Sequence, residues 1–338
     1  MIGQILNERY QILHSLSNDG LGHTYIAADT KLPGSPNCVV KHLQPVSDAP
    51  TILATARRLF ACEAEALTKI GSHDQIPQTL AYFEEDQQFF LVQEFVDGQN
   101  LAHELTPGKR RSEAYVIALL QDVLPVLEFI HQQGVIHRDL KPNHIIRRND
   151  GKLVLIDFGA VKQVFSPWSI TYSPSASLTV SIGTPGYMPT EQGRGKPRVQ
   201  SDIYALGMIC IQALTGLFPG QLQENMHTGE ILWYEHAIVS PELAQVLSQM
   251  VRYHFKDRYQ SATEVLQALQ QLQSGVTPIT SKYSFTTNLI HELTLEWVEA
   301  GQLKTQTIRD YQYSKHPGKI RIGHIIRRIF PRCDRTYP

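Results

Sequence analysis

Two polar segments, with a short apolar run between them, restrict the possible fold of this 338-residue chain more than any other feature of its sequence. The first, VIHRDLKPNHII, covers residues 135–146, and the second, DFG, begins at Asp157. The apolar run LVLI at 153–156, just before Asp157, predicts a buried strand. A carboxylate at the end of a strand is a suitable oxygen ligand for Mg²⁺, so Asp157 is a candidate cation ligand.

The order of the predicted elements indicates an α+β chain with two lobes. Alternating apolar and polar positions predict strands near 10–16, 24–28, 38–41, 82–83 and 89–92. Helical periodicity predicts helices near 54–70, 112–133, 201–215, 241–252 and 261–271. A strand-rich lobe is therefore followed by a helix-rich lobe, and the polar segments lie at and after their junction.

Further motifs accompany these segments in a fixed order. Lys41 ends CVVK, Glu63 lies in FACEAEAL, and Asp139 and Lys141 lie in HRDLKP. Over residues 8–272 the chain resembles the bacterial, cyanobacterial-like Hanks-type serine/threonine protein kinases. A short motif such as HRD or DFG is common by chance when it occurs alone, whereas the combination of these motifs in this order is specific for the family. The resemblance implies a bilobal protein kinase-like fold and transfer of the γ-phosphoryl group of ATP to Ser/Thr hydroxyls.

The same resemblance implies a role for each motif residue. Asp139 would accept or orient the proton of the substrate hydroxyl, and Lys141 would offset charge on the transferring phosphoryl. Lys41, paired with Glu63, would contact the ATP phosphates, while Asp157 would bind Mg²⁺ (or Mn²⁺). The other residues implied to line the nucleotide site are Leu16, Gly22, Thr24, Val39, Glu94 and Val96.

Three downstream residues match positions that support the family's fold rather than its chemistry. Asp202 would brace the catalytic loop, and Arg258 would pair with Glu191. Arg138 is a cation suited to a phosphorylated loop. The candidate acceptors in the Ser/Thr/Pro-rich segment 165–181 are Thr171, Ser177, Thr179 and Ser181.

The glycine-rich loop departs from the family pattern GxGxxGxV. Ser17 and Asp19 occupy the first two glycine positions, and only Gly22 is in place. A side chain at position 19 obstructs the approach of backbone to phosphate, and an anionic one also repels it. Alternatively, Asp19 points to solvent in the hairpin turn, and the loop covers ATP less tightly.

The second departure concerns the residue expected to hold a second Mg²⁺. The family places Asn five residues after the catalytic Asp, where this chain has His144, and Asn143 comes one residue early. Imidazole nitrogen is a poorer Mg²⁺ ligand than an amide oxygen. Three interpretations stay open: slower catalysis with one cation at Asp157, local adjustment of Asn143, or a pseudokinase that acts as a nucleotide-binding scaffold.

Bulk properties restrict the partners and the compartment. The formal net charge of −1 gives no field that favours nucleic acid. The four cysteines are far apart, which disfavours a disulfide framework or a zinc site. The N-terminus has no secretory layout, and the most apolar stretch, near 203–218, is broken by polar residues and glycine and is too short to span a bilayer. We therefore expect a cytoplasmic protein without membrane insertion, acting on protein substrates, with self-association for autophosphorylation.

The C-terminal residues form a separate region. Residues 273–290 are interpreted as a linker, and residues 291–298 alternate as a strand does. KIRIG at 319–323 is similar to the opening of a forkhead-associated domain, but the chain is too short for that sandwich. Residues 291–338 are therefore interpreted as an incomplete forkhead-associated-like region or a disordered basic tail, and no phosphopeptide binding is predicted.

Overall fold

A computed structural model describes residues 1–18, 23–43, 50–158, 183–273, 284–288, 292–299 and 302–309. The chain divides into two compact units, 1–276 and 277–338. The first unit contains every residue of the kinase-like motifs named above, so the functional site is sought there.

The first unit begins with a six-stranded antiparallel sheet in the order β1-β2-β3-β4-β6-β5. Its strands are β1 (Ile5–Leu6), β2 (Tyr10–Asn18), β3 (His23–Asp29), β4 (Asn37–Leu43), β5 (Thr79–Glu85) and β6 (Gln88–Glu94). Along β4, Val40 is fully buried on one face, and Val39 and Lys41 lie on the other. The five predicted strands are confirmed, and the sheet begins at Ile5, before residue 8.

The helices follow mainly after the sheet. They are α1 (Pro50–Ile70), α2 (Glu113–Gln132), α3 (Thr190–Gly193), α4 (Val199–Thr215), α5 (Pro241–Met250) and α6 (Ala262–Gln273). The hydroxyl of Ser112 accepts a hydrogen bond from the Tyr115 N–H at 3.2 Å, which caps α2. Helix α4 ends at Gly216 in the left-handed conformation, with φ 70°. The predicted helices and the two-lobed α+β order are confirmed.

Helix α2 forms the centre of the helix-rich lobe. Among the described residues it is the one helix long and apolar enough to cross a membrane by length and composition. Its buried residues are Val116, Leu119, Leu120, Val123, Leu124, Val126, Leu127 and Ile130. They pack into the main hydrophobic core, and this packing accounts for the apolar positions of the helix.

A small antiparallel sheet joins the two polar segments. It consists of β7 (Gly98–Asn100), β8 (Ile145–Arg148) and β9 (Leu153–Leu155), in that order. Ile145 lies opposite Leu155, and the N–H of Ile156 donates to the carbonyl oxygen of His144 at 3.0 Å. This register places the end of the 137–144 loop beside the residue that precedes Asp157. A separate two-stranded pair, β10 (Gln223–Glu224) and β11 (Ile231–Leu232), follows α4.

The second unit contains an antiparallel sheet of β12 (Ser284–Asn288), β13 (Glu292–Glu299) and β14 (Gln302–Arg309). The strand predicted at 291–298 is confirmed as β13. Strand β12 lies within residues 273–290, which were interpreted as a linker, and it pairs with β13, while β13 and β14 lie within the region 291–338. Residues 310–338, including KIRIG, lie outside the described residues.

Candidate active site

A cavity of about 1080 Å³ in the first unit is lined by residues of both lobes. Most residues that the sequence implicated in nucleotide or cation binding line it: Leu16, Thr24, Val39, Lys41, Glu94, Val96, Lys141, Asn143, His144 and Asp157. Gly22 lies outside the described residues, as does the side chain of Glu63, although the backbone of Glu63 is part of α1. The candidate phosphorylation sites in 165–181 also lie outside the described residues.

Sequence reasoning missed several residues that line the same cavity. Ile26, Ile146 and Ile156 add apolar walls, and Gln93 places a buried amide side chain at the cavity. Ile26 and Ile146 lie two residues after the predicted Thr24 and His144, and Gln93 and Ile156 directly precede the predicted Glu94 and Asp157. Alternation along β3 could have found Ile26, since every second residue of a strand shares a face with Thr24.

The ammonium group of Lys41 pairs with the carboxylate of Asp157 at 2.5 Å between Nζ and Oδ1. Lys41 comes from β4 and Asp157 follows β9, so the pair connects the two lobes. The side chain of Asp157 is one-third exposed towards the cavity, at 33%. Its backbone has φ 59°, a left-handed conformation that costs energy for a non-glycine residue and is common at functional sites.

Asp139, Lys141 and Thr184 form a hydrogen-bonded group at the cavity: Lys141 and Thr184 line it, and Asp139 is buried beside them. The hydroxyl of Thr184 donates to Asp139 Oδ1 at 2.8 Å and accepts from Lys141 Nζ at 2.9 Å. Lys141 Nζ lies 3.5 Å from Asp139 Oδ2. The Asp139 carboxylate is only 4% exposed, so its charge is balanced mainly by these neighbours. Thr184 belongs to GTPGY at 183–187, which by the family resemblance would face the protein substrate, but its contact with Asp139 was not predicted.

His144 lies between the two carboxylates. Its Nδ1 is 2.8 Å from the backbone oxygen of Asp139 and 3.4 Å from Asp139 Oδ2. Its Nε2 is 3.4 Å from Asp157 Oδ2. The ring is 7% exposed, whereas the neighbouring Asn143 is exposed where it lines the cavity. The short helical turn Pro142–His144 produces this arrangement by directing successive side chains apart.

Asp202 holds the backbone of the 137–144 loop, which carries Asp139, as predicted. Its carboxylate accepts from the N–H groups of His137 and Arg138 at 2.8 and 2.9 Å. Burial alone would raise the pKa of Asp202, but the hydrogen bond from His131 and these N–H groups lower it below its usual range. Arg138 needs this support because its φ is 67°. Its backbone oxygen also accepts a hydrogen bond from the side chain of Gln192.

The predicted pair of Glu191 and Arg258 is confirmed. Arg258 Nη1 lies 2.7 Å from Glu191 Oε1, and the Arg258 side chain is fully buried. Ser201 donates to the same carboxylate oxygen at 2.9 Å. Such a pair is well satisfied by hydrogen bonds, so it fixes α3 against the later helices instead of leaving a buried charge unpaired.

The fold is that of known protein kinase domains. A crystal structure of the Mycobacterium tuberculosis PknI kinase domain matches with a TM-score of 0.60 at 23% identity, covering 82% of this chain and 100% of that one. The structure described as PpkA-294 apo form matches with a TM-score of 0.60 at 22% identity, over 80% of this chain and 98% of that one. At these identities the likeness concerns the fold alone.

Sequence comparison identifies the family. The protein kinase domain model matches residues 35–270. Serine/threonine-protein kinase B of Synechocystis sp. is 47% identical over 268 residues, which cover 78% of this chain and 47% of that protein. Serine/threonine-protein kinase PknA of Nostoc sp. is 42% identical over 270 residues, covering 79% and 48%. The chain belongs to the protein kinase family, and it spans about half the length of the curated relatives it matches.

Proposed function

We propose that this chain is an ATP-dependent protein serine/threonine kinase. The observation that carries the proposal is the arrangement of Asp139, Lys141 and Thr184 at the cavity that also contains the Lys41–Asp157 pair. Phosphoryl transfer depends on positioning and electrostatics more than on covalent chemistry by the protein, and this arrangement supplies both. The names of the cyanobacterial relatives support the same activity.

The described residues fit ATP with a divalent cation. The cavity has the size of a nucleotide site, and it has the apolar walls that a purine requires, which are formed by Leu16, Ile26, Val39, Ile146 and Ile156. Lys41 is suited to the phosphates, and the exposed part of the Asp157 carboxylate is suited to a cation. When bound, ATP supplies the γ-phosphoryl group, and Mg²⁺ or Mn²⁺ neutralises charge on the phosphates.

Each catalytic-loop side chain has a defined task in this proposal. The Asp139 carboxylate accepts the proton of the substrate hydroxyl as the new O–P bond forms and the bond to the leaving phosphate oxygen breaks. The Lys141 ammonium group offsets negative charge on the transferring group. Thr184 orients the Asp139 carboxylate, because its hydroxyl group donates a hydrogen bond to Asp139 and accepts one from Lys141. Of the two cation candidates on the loop, His144 is the one buried against Asp157.

The substrates would be proteins in the cytoplasm, without nucleic acid as a partner and without membrane insertion. Regulation by phosphorylation of segment 165–181, including phosphorylation between copies of the chain, is part of the proposal. The Nε of Arg138 is buried and has no hydrogen-bond partner among the described residues, so this cation is suited to receive an anionic group.

Incubation of the purified chain with γ-labelled ATP and Mg²⁺ or Mn²⁺, alone and with a generic protein substrate, tests the proposal. We expect label on Ser or Thr, and a loss of roughly 10²–10⁴-fold in Asp139→Asn. Asp150→Asn is the matched control, because Asp150 is an exposed carboxylate bound to Arg148 outside the cavity. Nucleotide binding without any transfer in the unmodified chain would overturn the proposal and identify a nucleotide-binding scaffold.

A further inference from the structure

The protonation of the His144 ring is determined by its surroundings. Nδ1 lies 2.8 Å from the backbone oxygen of Asp139. A carbonyl oxygen only accepts hydrogen bonds, so Nδ1 carries the proton and donates it. In the neutral ring the lone pair is then on Nε2, the nitrogen 3.4 Å from Asp157 Oδ2. Hydrogen bonding at one ring nitrogen to orient the other is the arrangement found in metal-binding histidines.

The separation of Nε2 and Oδ2 is close to what one shared cation requires. Two neighbouring ligands of an octahedral ion at roughly 2.1–2.2 Å stand about 3.0–3.1 Å apart. The observed 3.4 Å needs only a small adjustment of the Asp157 side chain, which is partly exposed. No group of three metal-binding side chains occurs in the part of the chain that the structure describes. Phosphate oxygens of the nucleotide would therefore supply the remaining ligands.

We propose that His144 is a nitrogen ligand of the nucleotide-associated cation. We further propose that His144 and Asp157 together select a first-row transition cation such as Mn²⁺ over Mg²⁺. The inference rests on the proposed function, since the nucleotide completes the site. At the position of His144 the resembled family has an oxygen ligand, so a nitrogen ligand there gives the site a different cation preference.

The preference follows from the donor atoms. Mg²⁺ binds oxygen and gives up its water reluctantly, whereas imidazole nitrogen suits transition cations such as those of iron and zinc. Mn²⁺ accepts carboxylate and phosphate oxygens as Mg²⁺ does, and it binds nitrogen more readily. One imidazole in an otherwise oxygen-based site therefore favours Mn²⁺ without excluding the phosphates. Among the described contacts it is the buried His144, and not the exposed Asn143, that lies against Asp157.

Pulsed electron paramagnetic resonance on bound Mn²⁺ tests the proposal directly. The full chain, with a non-hydrolysable ATP analogue and Mn²⁺, should show coupling to an imidazole nitrogen. The coupling should change to that of ¹⁵N when only histidine is ¹⁵N-labelled, which separates it from the adenine nitrogens. It should vanish in His144→Asn and persist in His236→Asn, a control because His236 is exposed and does not line the cavity.

Competition between Mn²⁺ and Mg²⁺ gives the second readout. We expect the ratio of Mn²⁺ to Mg²⁺ affinity in the analogue complex to fall about tenfold in His144→Asn. Bound analogue and Mn²⁺ without histidine coupling would overturn the inference and leave the proposed function intact. An unchanged ratio would do the same. Failure of the chain to bind the analogue with any divalent cation would instead overturn both this inference and the proposed function.

Discussion

The hydroxyl of Thr184 donates a hydrogen bond to the carboxylate of Asp139 at 2.8 Å. The two residues are 45 positions apart in the chain, and the ammonium group of Lys141 donates a hydrogen bond to the same hydroxyl group. The segment that would receive a protein substrate is thereby attached to the group that would accept the substrate proton. We therefore expect the proposed activity to depend on this junction as well as on the HRDLKP motif itself.

Substitution of Thr184 should separate this hydrogen bond from the shape of the side chain. Thr184→Val keeps the branched shape and removes the donor to Asp139, so we expect kcat to fall roughly tenfold to a hundredfold. Thr184→Ser keeps the hydroxyl and should retain most of the activity. Steady-state phosphorylation of one substrate measures both variants. Equal rates for Val and Ser would contradict a role for the hydroxyl.

The buried pair of Arg258 and Glu191 should contribute strongly to stability. Arg258→Ala leaves the Glu191 carboxylate buried without its partner, so we expect the free energy of unfolding to fall by roughly 3–5 kcal/mol. Urea denaturation measures the loss. Arg57→Ala is the control, because Arg57 also pairs with a carboxylate, that of Glu84, but is about half exposed, at 49%. Exposed pairs contribute little, and comparable losses in the two variants would refute the distinction.

Stability should fall in mild acid through His137. Burial lowers the pKa of this ring below its usual 6.5, although Asp202 and Asp139 act in the opposite direction. Its Nε2 donates to the Ile156 oxygen at 3.0 Å, and its Nδ1 faces the Asp139 N–H, so the neutral ring is the one that fits.

Because the folded pKa is lowered, the neutral ring's contribution is present above pH 6.5 and is lost as the pH falls from 6.5 through the folded pKa. His137→Gln keeps a donor for Ile156 and removes the titration. Urea midpoints between pH 8 and pH 5 should therefore decline more steeply in the unmodified chain than in the variant. Parallel declines would show that His137 does not carry this dependence.

Replacement of His144 should also change the rate. His144→Asn puts an amide oxygen at the position, so with Mg²⁺ we expect faster phosphoryl transfer, by roughly tenfold. With Mn²⁺ the gain should be smaller or absent, because the nitrogen ligand is lost. Initial rates at saturating nucleotide in each cation measure the difference. An unchanged rate in Mg²⁺ would show that His144 does not limit transfer.

Much of the fold could be predicted because the relevant patterns are local. Strand β4 and helices α2 and α4 were predicted from strand alternation and helical periodicity, within a few residues of where they begin and end. The strand β12 was missed because its sequence, SFTTN, lies in a stretch rich in Ser, Thr and Pro, and its stability depends on pairing with β13. Strand propensity predicts a strand poorly when its formation depends on pairing with a neighbouring strand.

The order of the lobes, the family resemblance and the candidate catalytic side chains could all be inferred from the amino-acid sequence. Motif spacing carries that information, since each motif is a short run of residues. The contact of Lys41 with Asp157, the hydrogen bond of Thr184 to Asp139 and the inward position of His144 between two carboxylates became evident only in the folded chain. These contacts depend on the packing of distant elements and on side-chain direction, which a local pattern does not encode.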